Sequence, residues 1–214
     1  MNPRRLAVLP GRAGRLWLTR RLAVARRGAD LLDRKLQVLQ RELDRRRGAA
    51  ARAAAEWEHR QADAERWLLR AALLGGERAI RLAAADTFAE VTISHAATMG
   101  VRYPADATCV TPPPAAGDGP TVAAAREAHR AALAAAVRHA AAAEALRVLE
   151  AETVTTRYRL RAVRDRWIPR LEQALAEVTF AIEELERADA ARLRLAAAAR
   201  GRPDGNQPPR SRKI

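Results

Sequence analysis

Residues 18–43 read LTRRLAVARRGADLLDRKLQVLQREL, and their apolar spacing decides the fold. Leu18, Leu22, Ala25, Ala29, Leu32, Leu36, Leu39 and Leu43 follow one another at alternating steps of four and three. That is a heptad seam, the pattern of a helix that buries one narrow stripe against a partner helix. Ala50 and Trp57 keep the phase after the Arg45, Arg46, Arg47, Gly48 cluster, and no proline intervenes before Leu74. The spacing predicts one helix from about Leu16 to Leu74, roughly 90 Å long at about 1.5 Å per residue. Few globular domains contain such an element.

Downstream, Gly75 and Gly76 predict the helix stop, and the next residues exchange Ala and Arg for Thr, Val, Ile, Gly and Pro. Val91 and Ile93 alternate with Thr92 and Ser94, and Met99, Val101 and Tyr103 alternate again, with His95 to Thr98 between the two runs. This period of two predicts a small β-hairpin. Pro112, Pro113 and Pro114, then Gly117, Asp118, Gly119 and Pro120, read as a flexible connector.

A second helix is expected from Thr121, as its cap, to about Arg200. Its seam runs Leu146, Leu149, Thr153, Thr156, Leu160, Val163, Trp167, then Leu171, Leu175, Val178, Ile182 and Leu185. From Val163 to Leu175 the steps are four, four and four, which alters a supercoil. Pro169 falls there and predicts a bend, because it lacks a backbone donor. Two heptad helices on one chain satisfy their seams most simply by pairing antiparallel. The expected architecture is therefore all-α, a long two-helix coiled coil with a small middle hairpin. Its expected parts are an N-terminal helix (1–74), a hairpin and connector (75–120), a C-terminal helix (121–200) and a disordered basic tail (201–214).

Composition agrees with long helices and narrows the function. Aromatics are only 4% of the chain, too few for a sizeable globular core. Cys109 is the single cysteine, so no internal disulfide forms. No apolar run approaches the roughly 20 residues of a membrane span. His59, His95, His129 and His139 lack metal-ligand spacing, and Gly11 and Gly14 lack the Lys-Ser/Thr ending of a phosphate-binding loop. Cys109 reads as a passive thiol, and the Glu183, Glu184 pair as solvated helix surface. Neither catalysis nor a cofactor is expected. The first 29 residues hold eight Arg and no acid, as transit peptides do, but Leu18 and Leu22 are in phase with the later heptads, so they read as the start of the helix. A net charge of +14 attracts polyanions. Lys occurs only twice among the 39 basic residues, and Arg is spread along the chain. A free-standing basic coiled coil that binds nucleic acid or anionic membrane stays open as an alternative.

The segment Arg21, Leu22, Ala23, Val24, Ala25, Arg26, Arg27, Gly28, Ala29, Asp30, Leu31, Leu32, Asp33, Arg34, Lys35, with Pro10 and Arg12 before it, resembles the N-terminal signature of the D-subunit family of V/A-type ATPases. Ile168, Pro169, Arg170, Leu171, Glu172 and Glu183, Glu184, Leu185, Glu186, Arg187, followed by Arg192 and Leu193, resemble its C-terminal signature, and Met99, Gly100, Val101 its middle segment. Leu36 and Gln37 depart from the usual Arg and Asp, and Ala191 from a common aromatic. The resemblance implies the non-catalytic central rotor stalk of a V/A-type ATPase or ATP synthase. Its implied partners are the catalytic and non-catalytic subunits of an ATPase hexamer, the F-subunit of the stalk, and a funnel subunit on the membrane rotor ring. It implies neither direct nucleic-acid binding nor membrane insertion, and a place on the cytoplasmic face as a peripheral part of an ion-translocating complex. Arg12, Arg21, Arg27, Lys35, Arg187 and Arg192 are its candidate partner contacts, Pro169 its bend, and Val91, Ile93, Met99 and Val101 its hairpin.

Overall fold

The computed structural model describes residues 10–83, 88–113 and 119–200. Helix α1 spans Gly11–Leu82, strands β1 and β2 span Glu90–Thr98 and Val101–Val110, and helix α2 spans Pro120–Arg161. A π-helical turn, Ala162–Trp167, leads directly into helix α3, Ile168–Arg200. The fold is thus all-α with one small antiparallel sheet, as the heptads and the short period-two stretch dictate. The chain forms two compact units, residues 1–29 with 161–214, and residues 30–160.

In the first unit, Leu18, Leu22 and Ala25 of α1 pack on Leu171, with Trp167, Ile168, Ala174, Leu175 and Val178 around them. Leu18 and Leu171 are fully buried and Ile182 is nearly so. Leu185 continues the seam in sequence yet is 62% exposed. Arg12, one residue from the start of α1, already pairs with Glu186. Beyond that level the seam of α3 meets no second helix among the described residues.

The second unit buries its stripe in two styles. Leu39 and Leu43 pack on Ala145 and Leu149 in a Leu-based layer that also takes in Val101 and Tyr103 of β2. Farther along, Ala64 meets Ala128 and Ala132, and Ala71 meets Val122 and Ala125. Small side chains let the two helices approach closely, at the cost of less apolar area per turn. Between these layers Trp57 and His139 stack nearly parallel, with ring centroids 5.1 Å apart. Leu32 is only half-buried.

Three local expectations are corrected. Helix α1 passes Gly75 and breaks at Gly76, whose φ of 75° and ψ of 162° suit glycine alone, before resuming to Leu82. The hairpin turn is Met99–Gly100, not His95–Thr98: β1 runs straight through those four residues, and Thr98 pairs with Val101. Both turn residues have positive φ, 51° and 80°, as the two-residue turn matched to strand twist demands. Helix α2 begins at Pro120 and Ala123 donates to the Gly119 carbonyl, so Thr121 lies inside the first turn and is not the cap. A proline whose fixed φ is already helical suits that first position. The connector residues 114–118 and the tail 201–214 lie outside the described residues.

The irregular step from Val163 to Leu175 takes a definite form. The Ile168 amide donates to the Val163 carbonyl, five residues back, and closes the wide turn ahead of Pro169. A wider turn uses more residues per revolution, so steps of four hold Val163, Trp167 and Leu171 on one face. The irregularity attached to Pro169 is this π turn, and no residue within it is fully buried.

Replacing Leu18, Leu39 or Leu171 by Ala is expected to cost about 2–4 kcal/mol in urea unfolding, because each leaves a cavity in a filled layer. Leu185→Ala is expected to stay within about 0.5 kcal/mol.

Candidate interaction surfaces

Heptad chemistry places polar side chains on the flanks of each seam, where they reach across to the other helix. In the first unit Arg26 pairs with Glu172 at 2.7 Å and Arg12 with Glu186 at 2.8 Å. Arg21 lies over two indole rings, Trp17 at 5.7 Å and Trp167 at 5.8 Å, and so braces the π turn from the facing helix. Arg187 pairs with Glu183 and Glu184, and Arg192 with Asp189, all along α3 itself. Arg27 is exposed. Residues 10–29 carry six Arg and no acid, so this part of α1 presents a strongly positive surface. Trp17 and Val24 on α1, and Phe180, Leu193 and Leu195 on α3, remain exposed among the charges.

In the second unit Lys35 pairs with Glu152 at 2.7 Å on a part-buried flank, and Arg47 with Glu150 at 3.2 Å. The Lys35 ammonium, as hydrogen-bond donor, holds the Glu152 carboxyl below the usual range against the opposing effect of burial.

The root of the hairpin is a polar cluster that the apolar spacing does not reveal. The Tyr103 hydroxyl donates to Glu42 Oε1 at 3.0 Å and meets the Thr98 hydroxyl at 2.9 Å. Arg46 donates to the same Glu42 oxygen at 2.9 Å and to the Ala105 carbonyl at 3.2 Å, while its guanidinium covers the Tyr103 ring at 5.0 Å. Burial pushes the Glu42 carboxyl up, but hydrogen bonds from Arg46 and Tyr103 and the charges of Arg45 and Arg46 outweigh it and hold it below the usual carboxylate range. Glu42 sits beside seam residue Leu43 and Arg46 one turn on, so four-residue spacing next to a seam was the available signal. Val101 and Tyr103 are buried at this root, whereas Val91, Ile93 and Met99 are about half exposed. A register shift between Ser94 and His95 leaves Ala105 without a partner, next to Pro104, which has no amide to give.

A second surface that spacing does not reveal lies where α1 breaks. Leu69, Leu73, Leu74 and Leu82 are exposed on either side of the break in sequence, and a groove of about 290 Å³ in the same unit is lined by Leu68, Ile80, Ala83 and Val122 among others. Arg126 and His129 stand at the same groove.

None of the described residues builds a metal centre, since no three His, Cys, Asp or Glu gather within reach of one ion. The His129 ring bonds the Ala125 carbonyl, His139 stacks on Trp57, and Cys109 is a half-buried free thiol. No described helix is long and apolar enough to cross a membrane.

Removing the Tyr103 hydroxyl with Tyr103→Phe is expected to cost about 1–3 kcal/mol, as it takes a donor from a buried carboxylate. Because the folded Glu42 pKa is depressed, its contribution is complete above the ordinary value of 4.5 and disappears as pH falls through the lower folded value. Urea midpoints taken from neutral pH to about pH 3 should fall, and Glu42→Gln should flatten that fall.

A family profile for the ATP synthase D-subunit matches residues 16–198. No curated protein matches the chain.

Proposed function

Because the chain belongs to the ATP synthase D-subunit family, we propose that it is the rotor shaft that couples ATP turnover in a catalytic hexamer to ion movement through a membrane ring. Membership itself makes the protein a stalk component of a rotary ATPase, a structural part of a membrane-associated ATP synthase complex. The observation that carries the finer reading is the match over both terminal helices together with the hairpin between them.

A shaft works by contact rather than by bond chemistry. Two helices with unlike surfaces cannot present the same face to three catalytic interfaces. Each orientation of the shaft therefore favours a different open or closed state at each interface. Coupling of that kind needs only contacts that differ between states. The π turn ahead of Pro169 and the Arg21 brace add to the inequality of the faces. The all-basic stretch of α1 suits a sleeve of opposite charge, where exposed pairs are individually weak and screened and so permit stepping without capture.

In this reading the paired terminal helices enter the hexamer of catalytic and non-catalytic subunits. The middle region meets the F-subunit of the stalk and the funnel subunit of the ring, on the cytoplasmic face. In this reading the chain contributes contacts alone, with no cofactor or catalytic side chain of its own.

Tagged protein purified from its native extract is expected to bring down an ATPase hexamer and a small partner subunit, with ATPase activity in the eluate. Recovery of nucleic acid alone would replace the shaft with a free-standing basic coiled coil. Substituting Gln for Arg15, Arg20 and Arg27 together is expected to weaken hexamer assembly, with a smaller dependence on salt than the unaltered chain shows. Equal assembly at every ionic strength sinks the charged-sleeve account.

A further inference from the structure

The seam of the second half of the chain carries one residue too many. From Leu149 its positions are Thr153, Thr156, Leu160, Val163, Trp167, Leu171, Leu175, Val178 and Ile182. Their steps alternate four and three except from Trp167 to Leu171, where a four stands in place of a three. In a regular helix one surplus residue turns every later apolar side chain about 100° off the stripe. The helix is not regular there, because the Ile168 amide donates to the Val163 carbonyl, five residues back. A turn closed at five holds one residue more than a turn closed at four, so the π turn Ala162–Trp167 absorbs the surplus. Thr153, Thr156 and Leu160 are buried before it and Leu171 after it. Beyond it the pairs Arg26 to Glu172 and Arg12 to Glu186 lie two whole heptads apart on both helices, so the coil there is regular again.

Two features fix where the surplus lies. Pro169 has no amide, and in a regular helix its ring presses on the carbonyl four residues back, so the wide turn costs least directly ahead of it. From the facing helix, exposed Arg21 lies over the Trp167 ring at 5.8 Å and the Trp17 ring at 5.7 Å, and Trp167 leans on the layer of Leu18 and Leu171. No residue of the turn is fully buried. What resists a displacement of the turn is therefore the proline and the guanidinium.

We propose that Ala162–Trp167 is a parked dislocation, a surplus residue free to run toward the N-terminus of its helix, with Pro169 as its stop and the Arg21 contact on Trp167 as its latch. A move in that direction rotates the residues it passes, Val163 to Trp167, by about 100° and takes the indole away from Arg21. The element thus has two positions, Trp167 docked and Trp167 turned away, and the coil from Leu171 onward keeps its register in both. An exposed cation–π contact is the weaker of the two restraints. Arg21 therefore trims how often the latch opens, and Pro169 sets how strongly the docked position is preferred. The device is a property of the chain itself and stands or falls apart from the shaft reading.

Hydrogen exchange of the full chain, read over residues 156–171, tests it. Arg21→Leu is expected to speed exchange of amides 161–168 about 3-fold, and Arg21→Lys to restore part of the protection. Pro169→Ala is expected to speed it about 10-fold and to spread the fast amides back to Thr156, because the turn is no longer held in one place. Deleting Arg166 from the Pro169→Ala chain removes the surplus. Those amides should then slow to the rate of their helical neighbours, the urea midpoint should rise above that of the unaltered chain, and Arg21→Leu should change nothing further. Exchange that is unchanged or slower in Pro169→Ala overturns the proposal, because the proline is then no stop. A lower urea midpoint after the deletion also overturns it, because the seam then needs every residue it has. An Arg21→Leu effect that is absent from the unaltered chain, or of equal size in the deleted one, overturns the latch and leaves Arg21 a packing contact.

Discussion

Mutual burial of two heptad stripes is the constraint on which the other features rest. Isolated helices draw most of their stability from tertiary packing of one face, and the propensity of Ala, Arg and Glu alone leaves a long helix marginal. Here that packing comes in separate layers. Leu18 against Leu171 closes one, Leu39 and Leu43 against Ala145 and Leu149 another, and Ala64 and Ala71 against α2 the thinnest. Cross-helix ion pairs such as Arg26 to Glu172 flank these layers but are half-exposed, and such pairs add little stability. What they add is register, since a shift by one residue would separate Arg12 from Glu186, Arg26 from Glu172 and Lys35 from Glu152 alike.

The hairpin depends on that register in turn. Its strands expose most of their side chains and could not fold as an isolated pair. It is fixed because Leu39 and Leu43 leave room for Val101 and Tyr103, and because Glu42 and Arg46, just off the seam, reach the Tyr103 hydroxyl and ring. A buried carboxylate with both its donors in place tolerates neither loss nor slippage. One turn of helix thus serves the coil through Leu43 and the hairpin through its polar neighbours.

The helices were legible in sequence because a heptad seam repeats the same physical demand many times. The C-terminal one is helical as far as Arg200, the last described residue. The four-four-four step from Val163 located the irregular turn, although sequence could not tell a bend at Pro169 from a π turn before it. The hairpin was legible as two strands but not in its turn, because Met99 in a left-handed conformation has no signature beyond the Gly that follows. Tyr103, Glu42 and Arg46 were not legible as a cluster, since their contact joins residues about sixty positions apart. The Ala layers escaped notice because Ala is so abundant that no phase stands out. Leu74 read as the helix end, and the sequence did not show that Leu69, Leu73 and Leu74 are exposed among the described residues.

On the proposed shaft reading the chain has to slip at one contact and hold at another, and it carries two kinds of surface. Screened charge is long-ranged, weakly directional and easily exchanged for water, so a surface of exposed Arg can pass from one acidic neighbour to the next with low barriers. Apolar insertion is short-ranged and costs its whole contact area to withdraw, so a contact of that kind resists rotation. On α1 the residues from Gly11 to Ala29 bear six Arg without one acid, whereas the aliphatic Leu68, Leu69, Leu73, Leu74 and Leu82 lie on either side of Gly76 in sequence. The same chemistry distributed the other way, apolar at the first and charged at the second, would seize where motion is required and slide where torque must be transmitted. The two kinds of surface are therefore segregated along one helix, which the net charge of the whole chain does not reveal.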